Sequence, residues 1–245
     1  MENNHNLAGK IAVLTGGGGG IGRALAVKLA QCGMRIVLVG GNNPEKLNAT
    51  ASAVKPYGSC IILPGDLTNP DFIKQTTAKI TADFPQVDVL INNAGVAQST
   101  PFEEITIEEF DKIMAINTKA PFMMIQSMLP LLKKSAAATI INIASVVAHS
   151  GYPLQSIYTA SKHALLGMTK SLAAEYYQEN IRVHAISPGG VYTDMVKVSR
   201  PDLTPDGMIL PEEVADIIHF LLANRNNAVI DEIILHRVNK QPFLV

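Results

Sequence analysis

A short apolar run, Ile11-Ala12-Val13-Leu14, leads straight into Thr15-Gly16-Gly17-Gly18-Gly19-Gly20-Ile21-Gly22, and Arg23 to Gln31 continues as a helical pattern. Nothing else in the chain narrows the choice of fold as much. A strand, a glycine-rich turn and a helix in that order make the dinucleotide-binding arrangement. The glycines permit a tight turn and let a pyrophosphate approach the main chain, where a helix N-terminus stabilises its charge. A flexible turn that is merely rich in glycine is the competing reading. Its place between a strand and a helix favours phosphate binding.

Downstream, apolar runs alternate with helical patterns, which predicts a parallel sheet covered on both faces, a Rossmann-type α/β fold. Strands are expected near 11–15, 35–39, 59–63, 87–91, 139–144, 181–186 and 229–235. Helices are expected near 21–32, 44–55, 70–83, 107–133, 156–179 and 211–223, with Pro121 and Pro130 marking a kink and an end in the fourth helical region. The chain has no internal repeat or linker, and 245 residues that are 47% hydrophobic can bury a core as one domain spanning 1–245. The strand order expected of such a doubly wound sheet is 3-2-1-4-5-6-7.

The chemistry is carried by Tyr158-Thr159-Ala160-Ser161-Lys162, with Ser145 arriving from a separate segment. Tyr at i and Lys at i+4 share a helix face. A free phenol titrates near about 10, and a nearby ammonium lowers that value, suiting the Tyr to exchange a proton with an alcohol or carbonyl oxygen. Ser145 is placed to hydrogen-bond the same oxygen. Tyr and Lys also share helix surfaces for no chemical reason, so the pattern gains its meaning from the glycine turn.

In combination these motifs resemble the short-chain dehydrogenase/reductase family, in its single-domain form and with 3-oxoacyl-[acyl-carrier-protein] reductases among its members. The resemblance runs from about Lys10 to Leu235 through Thr15-Gly16-x-x-x-Gly20-Ile21-Gly22, Asp66-Leu67, Asn92-Asn93-Ala94-Gly95, Asn117, Ser145, Tyr158 with Lys162, and Pro188-Gly189, in that order. It implies a catalytic set of Asn117, Ser145, Tyr158 and Lys162. Ser145 would polarise a carbonyl and Tyr158 would deliver the proton. Lys162 would lower the phenol pKa and hold the nicotinamide ribose, and Asn117 would hold a water that links Lys162 to solvent. The same resemblance places Thr15, Gly16, Gly20, Ile21, Gly22, Asp66, Leu67, Asn93, Ala94, Gly95, Pro188, Gly189, Val191 and Thr193 at the cofactor. Asp66 is assigned to its adenine end, and Thr193 to its carboxamide. Local readings compete at several positions: a turn-forming Asp66, an Asn93 that stabilises the sheet, a packing Asn117, an ordinary Pro188-Gly189 turn.

Cofactor choice rests on the end of the second strand, where an acid selects NAD and an Arg accepts the phosphate of NADP. Here Ile36-Val37-Leu38-Val39 runs into Gly40-Gly41-Asn42-Asn43, with neither. Gly19 stands where many NADP enzymes carry a cation. Without the acid nothing rejects the phosphate, and Asn42 can hydrogen-bond it. Positive charge comes only if Lys46 or Arg23 reaches in. NADP(H) is favoured over NAD(H).

On the substrate side, Val147, His149, Leu154, Gln155, Tyr192 and Met195 are candidate lining residues, with a solvated loop as the competing reading for His149. The segment between Thr193 and Pro211 is short for the family's lid, and Asp202, Pro205, Asp206 and Gly207 predict a polar, turn-rich loop. The last strand carries Asp231-Glu232-Ile233 where relatives have Asp-Gly-Gly, and the apolar end Pro242-Phe243-Leu244-Val245 suits a subunit contact.

A net charge of -1 gives no reason to expect nucleic-acid or acidic-membrane binding. The two cysteines, Cys32 and Cys60, lack metal-ligand spacing and read as reduced packing thiols; no metal site is expected. A soluble cytoplasmic protein is expected, acting on a small-molecule or acyl-carrier-linked carbonyl substrate. The resemblance implies a homo-oligomer, tetramer or dimer. A ketone or 3-oxoacyl reductase is favoured over an NAD-dependent alcohol, sugar or steroid-type dehydrogenase, and over a nicotinamide-binding sensor without turnover.

Overall fold

The computed structural model describes residues 6–41, 43–199 and 204–241, and its seven strands form one parallel sheet. They are β1 (Ile11–Thr15), β2 (Arg35–Val39), β3 (Cys60–Leu63), β4 (Val89–Asn92), β5 (Ala138–Ile143), β6 (Ile181–Pro188) and β7 (Glu232–Leu235). The spatial order is β3-β2-β1-β4-β5-β6-β7, as the sequence predicts. Each strand is short and apolar because both faces are covered. Along β1, Ala12 and Leu14 join one core cluster while Ile11 and Val13 join the other, so successive side chains serve opposite faces.

One face is covered by α1 (Gly20–Gln31), α2 (Pro44–Val54) and α8 (Pro211–Ala223), the other by α3 (Pro70–Asp83), α5 (Ala120–Leu132) and α6 (Ser156–Tyr176). The remaining helices are α4 (Ile107–Met114) and the short α7 (Asp194–Ser199). After β1 the chain builds outward through β2 and β3, then returns to place β4 on the other side of β1. Ligands of open α/β sheets bind at such a reversal, beyond the carboxyl ends of the strands.

Three expectations need correction. The helical region 107–133 is not one helix: a π-helical turn, Ala115–Lys119, separates α4 from α5. Pro121 follows this turn in the first turn of α5, where its missing N–H interrupts the regular ladder, and α5 ends at Leu132, soon after Pro130. The last strand begins at Glu232 rather than 229, since its pairing with β6 starts at Glu232 opposite Ala185, which leaves the apolar Val229 and Ile230 exposed, at 52% and 38%. Part of the expected turn-rich loop after Thr193 is helical, as α7. Asn42, Asp202 and Pro242 to Val245 lie outside the described residues. No helix among the described residues is long and apolar enough to cross a membrane.

Candidate active site

The carboxyl ends of β1, β4, β5 and β6 open into a cleft of about 480 Å³, a size suited to a whole small ligand. Its wall contains Gly16, Gly20, Ile21, Asp66, Leu67, Asn93, Ala94, Gly95, Ser145, Tyr158, Lys162, Pro188, Gly189, Val191, Thr193 and Met195. Residues separated by more than a hundred positions therefore meet in one space. Thr15, Gly22 and Asn117 stand behind this wall.

The glycine turn is shaped by main-chain proximity. A Cβ on Gly22 would sit 2.3 Å from the Gly16 carbonyl oxygen, and Gly16 has a φ of +70° with the Ala94 main chain directly beside it. Thr15 Oγ1 accepts from the N–H groups of Asn93 and Ala94 at 3.1 and 3.2 Å. Asn93 Nδ2 returns to the carbonyls of Thr15 and Gly16 at 3.1 and 3.0 Å. These bonds lock the turn after β1 to the segment after β4. Asn92 does the next layer: its Nδ2 donates to Asn142 Oδ1 at 2.8 Å across β4 and β5, and Asn142 Nδ2 donates to Thr169 on α6 at 2.9 Å.

Ser145, Tyr158 and Lys162 converge at the other end. Ser145 Oγ accepts from the Val147 N–H at 3.3 Å and donates to the Pro188 carbonyl at 3.4 Å. Ser145 and the Tyr158 phenol line the same cleft. Lys162 Nζ lies 5.8 Å from the Tyr158 ring centroid and donates to the Ile143 carbonyl at 2.8 Å. Burial dominates both titrations. It pulls the Lys162 ammonium down to about 8 and pushes the Tyr158 phenol up, with the Ser145 hydroxyl working against that rise. The phenol is therefore raised rather than lowered from its ordinary value, because desolvation is the largest influence on it. The phenol therefore carries its proton at neutral pH.

Asn117, fully buried in the π-turn, pairs with Val96 through both its amide atoms and donates to Ser161 Oγ at 3.0 Å. Asp66 holds the N–H and hydroxyl of Thr68 at 2.8 Å each, so it forms a turn and borders the cleft at once.

Of the six candidate substrate-lining residues, Met195 borders the cleft and the other five do not. Val147 is buried in the turn after Ser145, Leu154 is 48% exposed with a φ of 65°, and Gln155 precedes α6. Tyr192 borders an adjoining recess with Arg23 and Lys28, which meets the cleft at Gly20, Thr193 and Asp194. His149 is not a solvated loop residue. Its Nε2 lies 2.7 Å from Glu232 Oε1, and Ser187 donates to the same oxygen at 2.5 Å.

Sequence reasoning missed Gln98, whose buried Oε1 accepts from the N–H groups of Ile157 and Tyr158 at 2.9 and 3.3 Å and so caps α6. It also missed the pairing of Lys46 with Asp194 at 3.3 Å. Both join residues far apart in the chain, and no local spacing signals them. Cys32 and Cys60 pack against the core as free thiols, the latter pushed up to about 11 by burial. Among the described residues, no His, Cys, Asp and Glu side chains converge as a metal site.

A profile of the short chain dehydrogenase family matches residues 10–204. The chain is 36% identical over 207 residues to a D-beta-hydroxybutyrate dehydrogenase from Rhizobium meliloti, covering 84% of this chain and 80% of the relative. It is 32% identical to a 3-oxoacyl-[acyl-carrier-protein] reductase from Thermotoga maritima, covering 93% and 96%. Among solved structures, a short chain dehydrogenase from Shigella flexneri complexed with NADP superposes with a TM-score of 0.87 at 30% identity, over 94% of this chain and 98% of that one.

Proposed function

The chain belongs to the short chain dehydrogenase family, and from that premise we propose that it reduces a ketone or 3-oxoacyl group with NADPH. Membership makes it an NAD(P)-dependent oxidoreductase acting on a carbonyl/alcohol pair. The observation that carries the carbonyl/alcohol chemistry is Ser145, Tyr158 and Lys162 lining one cleft with the glycine turn, and the reducing direction is supported by the 3-oxoacyl reductase among the relatives.

The cleft fits a dinucleotide. Gly19 faces open space, so the turn presents main-chain N–H groups without side chains in the way, and α1 points its N-terminus at them. A bound nicotinamide supplies the hydride. The protein's own part is position and proton supply. Ser145 Oγ holds the weak 3.4 Å bond to Pro188 and can turn its hydrogen to a substrate oxygen instead. Tyr158 delivers its proton to that oxygen as negative charge develops there. Lys162, charged below about pH 8, favours the phenolate left behind and would hold ribose hydroxyls. The Asn117 side chain is committed to Val96 and Ser161. Its main-chain carbonyl, within the wide π-turn, is then the group through which water would resupply the proton.

A preference for NADPH is supported by the end of β2, which has no acid among its described residues and has Lys46 nearby on the cleft wall. The thioester substrate class is supported by the Thermotoga reductase, and the hydroxy-acid class by the Rhizobium dehydrogenase. The exposed side chains of Phe102, Ile107 and Phe122 around α4 and α5 support a homo-oligomer.

The test is a turnover panel. NADPH and NADH are offered with 3-oxoacyl thioesters, 3-oxo acids and cyclic ketones, and the oxidised cofactors with the corresponding alcohols. Faster NADPH-linked reduction of a 3-oxo substrate is the expected result. NAD-linked oxidation of an alcohol as the dominant activity would replace this reading with the dehydrogenase one.

A further inference from the structure

Among the described residues, the end of the cleft formed by the glycine turn and α2 carries one lining cation, and that cation faces a carboxylate. Among the described residues that line the cleft, Lys46 and Lys162 are the cations, and Lys162 lies at the opposite end beside Tyr158. Lys46 is fixed in the first turn of α2, because Asn43 Oδ1 accepts from its N–H at 3.1 Å. Its side chain packs on the glycine turn: a Cβ on Gly18 would lie 3.2 Å from the Lys46 Cβ. Below it, Gly40 and Gly41 turn the chain with φ of +82° and +95° and add no side chain at the end of β2. Across the cleft mouth, Lys46 Nζ meets Asp194 Oδ2 at 3.3 Å. Asp194 is the first residue of α7 and directly follows Thr193 on the cleft wall.

We infer that Lys46 reads the 2′-phosphate of the adenosine ribose, and that Asp194 tunes this reading by competing for the same ammonium. This rests on the assignment of the cleft to a nicotinamide dinucleotide. Both side chains are largely exposed, at 56% and 73%, and an exposed ion pair is weak. A phosphate monoester carries about -1.5 to -2 charges and three acceptor oxygens, so it displaces a single carboxylate. A ribose 2′-hydroxyl offers no charge and leaves the Lys46–Asp194 pair in place. Discrimination between the two cofactors then depends on the balance of two anions around one lysine. The Asp194 arm also joins the choice of cofactor to the start of the segment over the cleft.

Calorimetric titration of the full chain with NADPH, NADH, adenosine 2′,5′-bisphosphate and AMP tests this, with melting curves to confirm that each variant folds. Lys46→Gln should weaken NADPH and the bisphosphate by roughly tenfold, the size of a lost charge-assisted bond, and leave NADH and AMP within about twofold. Asp194→Asn should tighten NADPH and the bisphosphate by up to about fivefold without helping NADH. An unchanged NADPH/NADH ratio in Lys46→Gln overturns the inference while the cleft assignment stands. Equal weakening of both cofactors by Asp194→Asn makes Asp194 a structural support and overturns its competing role. Failure of the wild-type chain to bind either dinucleotide removes the cleft assignment, and the inference with it.

Discussion

Asn117 and Val96 exchange two hydrogen bonds: Asn117 Oδ1 accepts from the Val96 N–H at 2.8 Å, and its Nδ2 donates to the Val96 carbonyl at 3.0 Å. The same Nδ2 donates to Ser161 Oγ, which in turn donates to the Tyr158 carbonyl at 2.7 Å. One amide therefore ties the cleft wall after β4 to the helix that carries Tyr158 and Lys162. Asn117→Ala strips partners from groups that burial keeps away from water, and should cost about 2–4 kcal/mol in urea unfolding. A loss below about 0.5 kcal/mol would mean that the wall and α6 do not depend on this amide.

Two glycines of the first turn should respond in opposite ways. Gly22→Ala drives a methyl into the Gly16 carbonyl and should lose at least about 3 kcal/mol of stability. Gly19 has extended backbone and open space where its Cβ would be, so Gly19→Arg should fold within about 1 kcal/mol of wild type. It should also raise the preference for NADPH by adding a second cation beside Lys46. Equal destabilisation by the two substitutions would contradict this description of the turn.

Lys162 and Tyr158 give stability a defined pH dependence. Below about pH 8, Lys162 is charged both folded and unfolded, and the full cost of burying that charge is present. Between about 8 and the ordinary lysine value of 10.5 only the unfolded chain holds the proton, so this contribution to stability rises with pH. Tyr158 acts in the other sense: above the ordinary value of 10.0 the unfolded phenol ionises before the buried one, and stability is lost as pH rises. The melting temperature of Lys162→Met relative to wild type should therefore fall between about pH 8 and 10. A difference independent of pH would show that Lys162 is not titrating in that window.

His149 and Glu232 join the loop that follows Ser145 to the start of β7, and Ser187 shares the carboxylate just before Pro188. The pair is partly buried, with side chains 22% and 17% exposed. A double-mutant cycle of His149→Ala and Glu232→Gln should give a coupling of about 1 kcal/mol, outside the additivity expected of distant sites. Additive losses would leave the contact without energetic weight.

Much of this was legible because it is local or periodic. Ile11 to Gly22 announces a strand, a turn and a helix within a dozen positions, and the apolar strands are short runs whose period needs no tertiary knowledge. The Tyr158 and Lys162 pairing follows from helical spacing. Other features depended on burial or on distant partners. Apolar Val229 and Ile230 suggested strand but stay exposed, because pairing with β6 begins only at Glu232. The π-turn at Asn117 is a displacement of main-chain bonds that composition does not encode, and Gln98 acts on a helix cap 59 positions away. The phenol's rise is a desolvation effect, visible only once Tyr158 is placed against its neighbours in the fold. His149 read as solvated because its partner is 83 residues away.

The proposed reduction requires Tyr158 as the proton donor, while cofactor binding should not depend on its hydroxyl. The most direct measurement is steady-state reduction of a 3-oxo substrate by Tyr158→Phe, alongside NADPH titration of the same variant. NADPH affinity should stay within about threefold while kcat falls by at least about a hundredfold, the usual share of a positioned acid. A variant that keeps near-wild-type kcat would contradict the assignment of the proton to Tyr158.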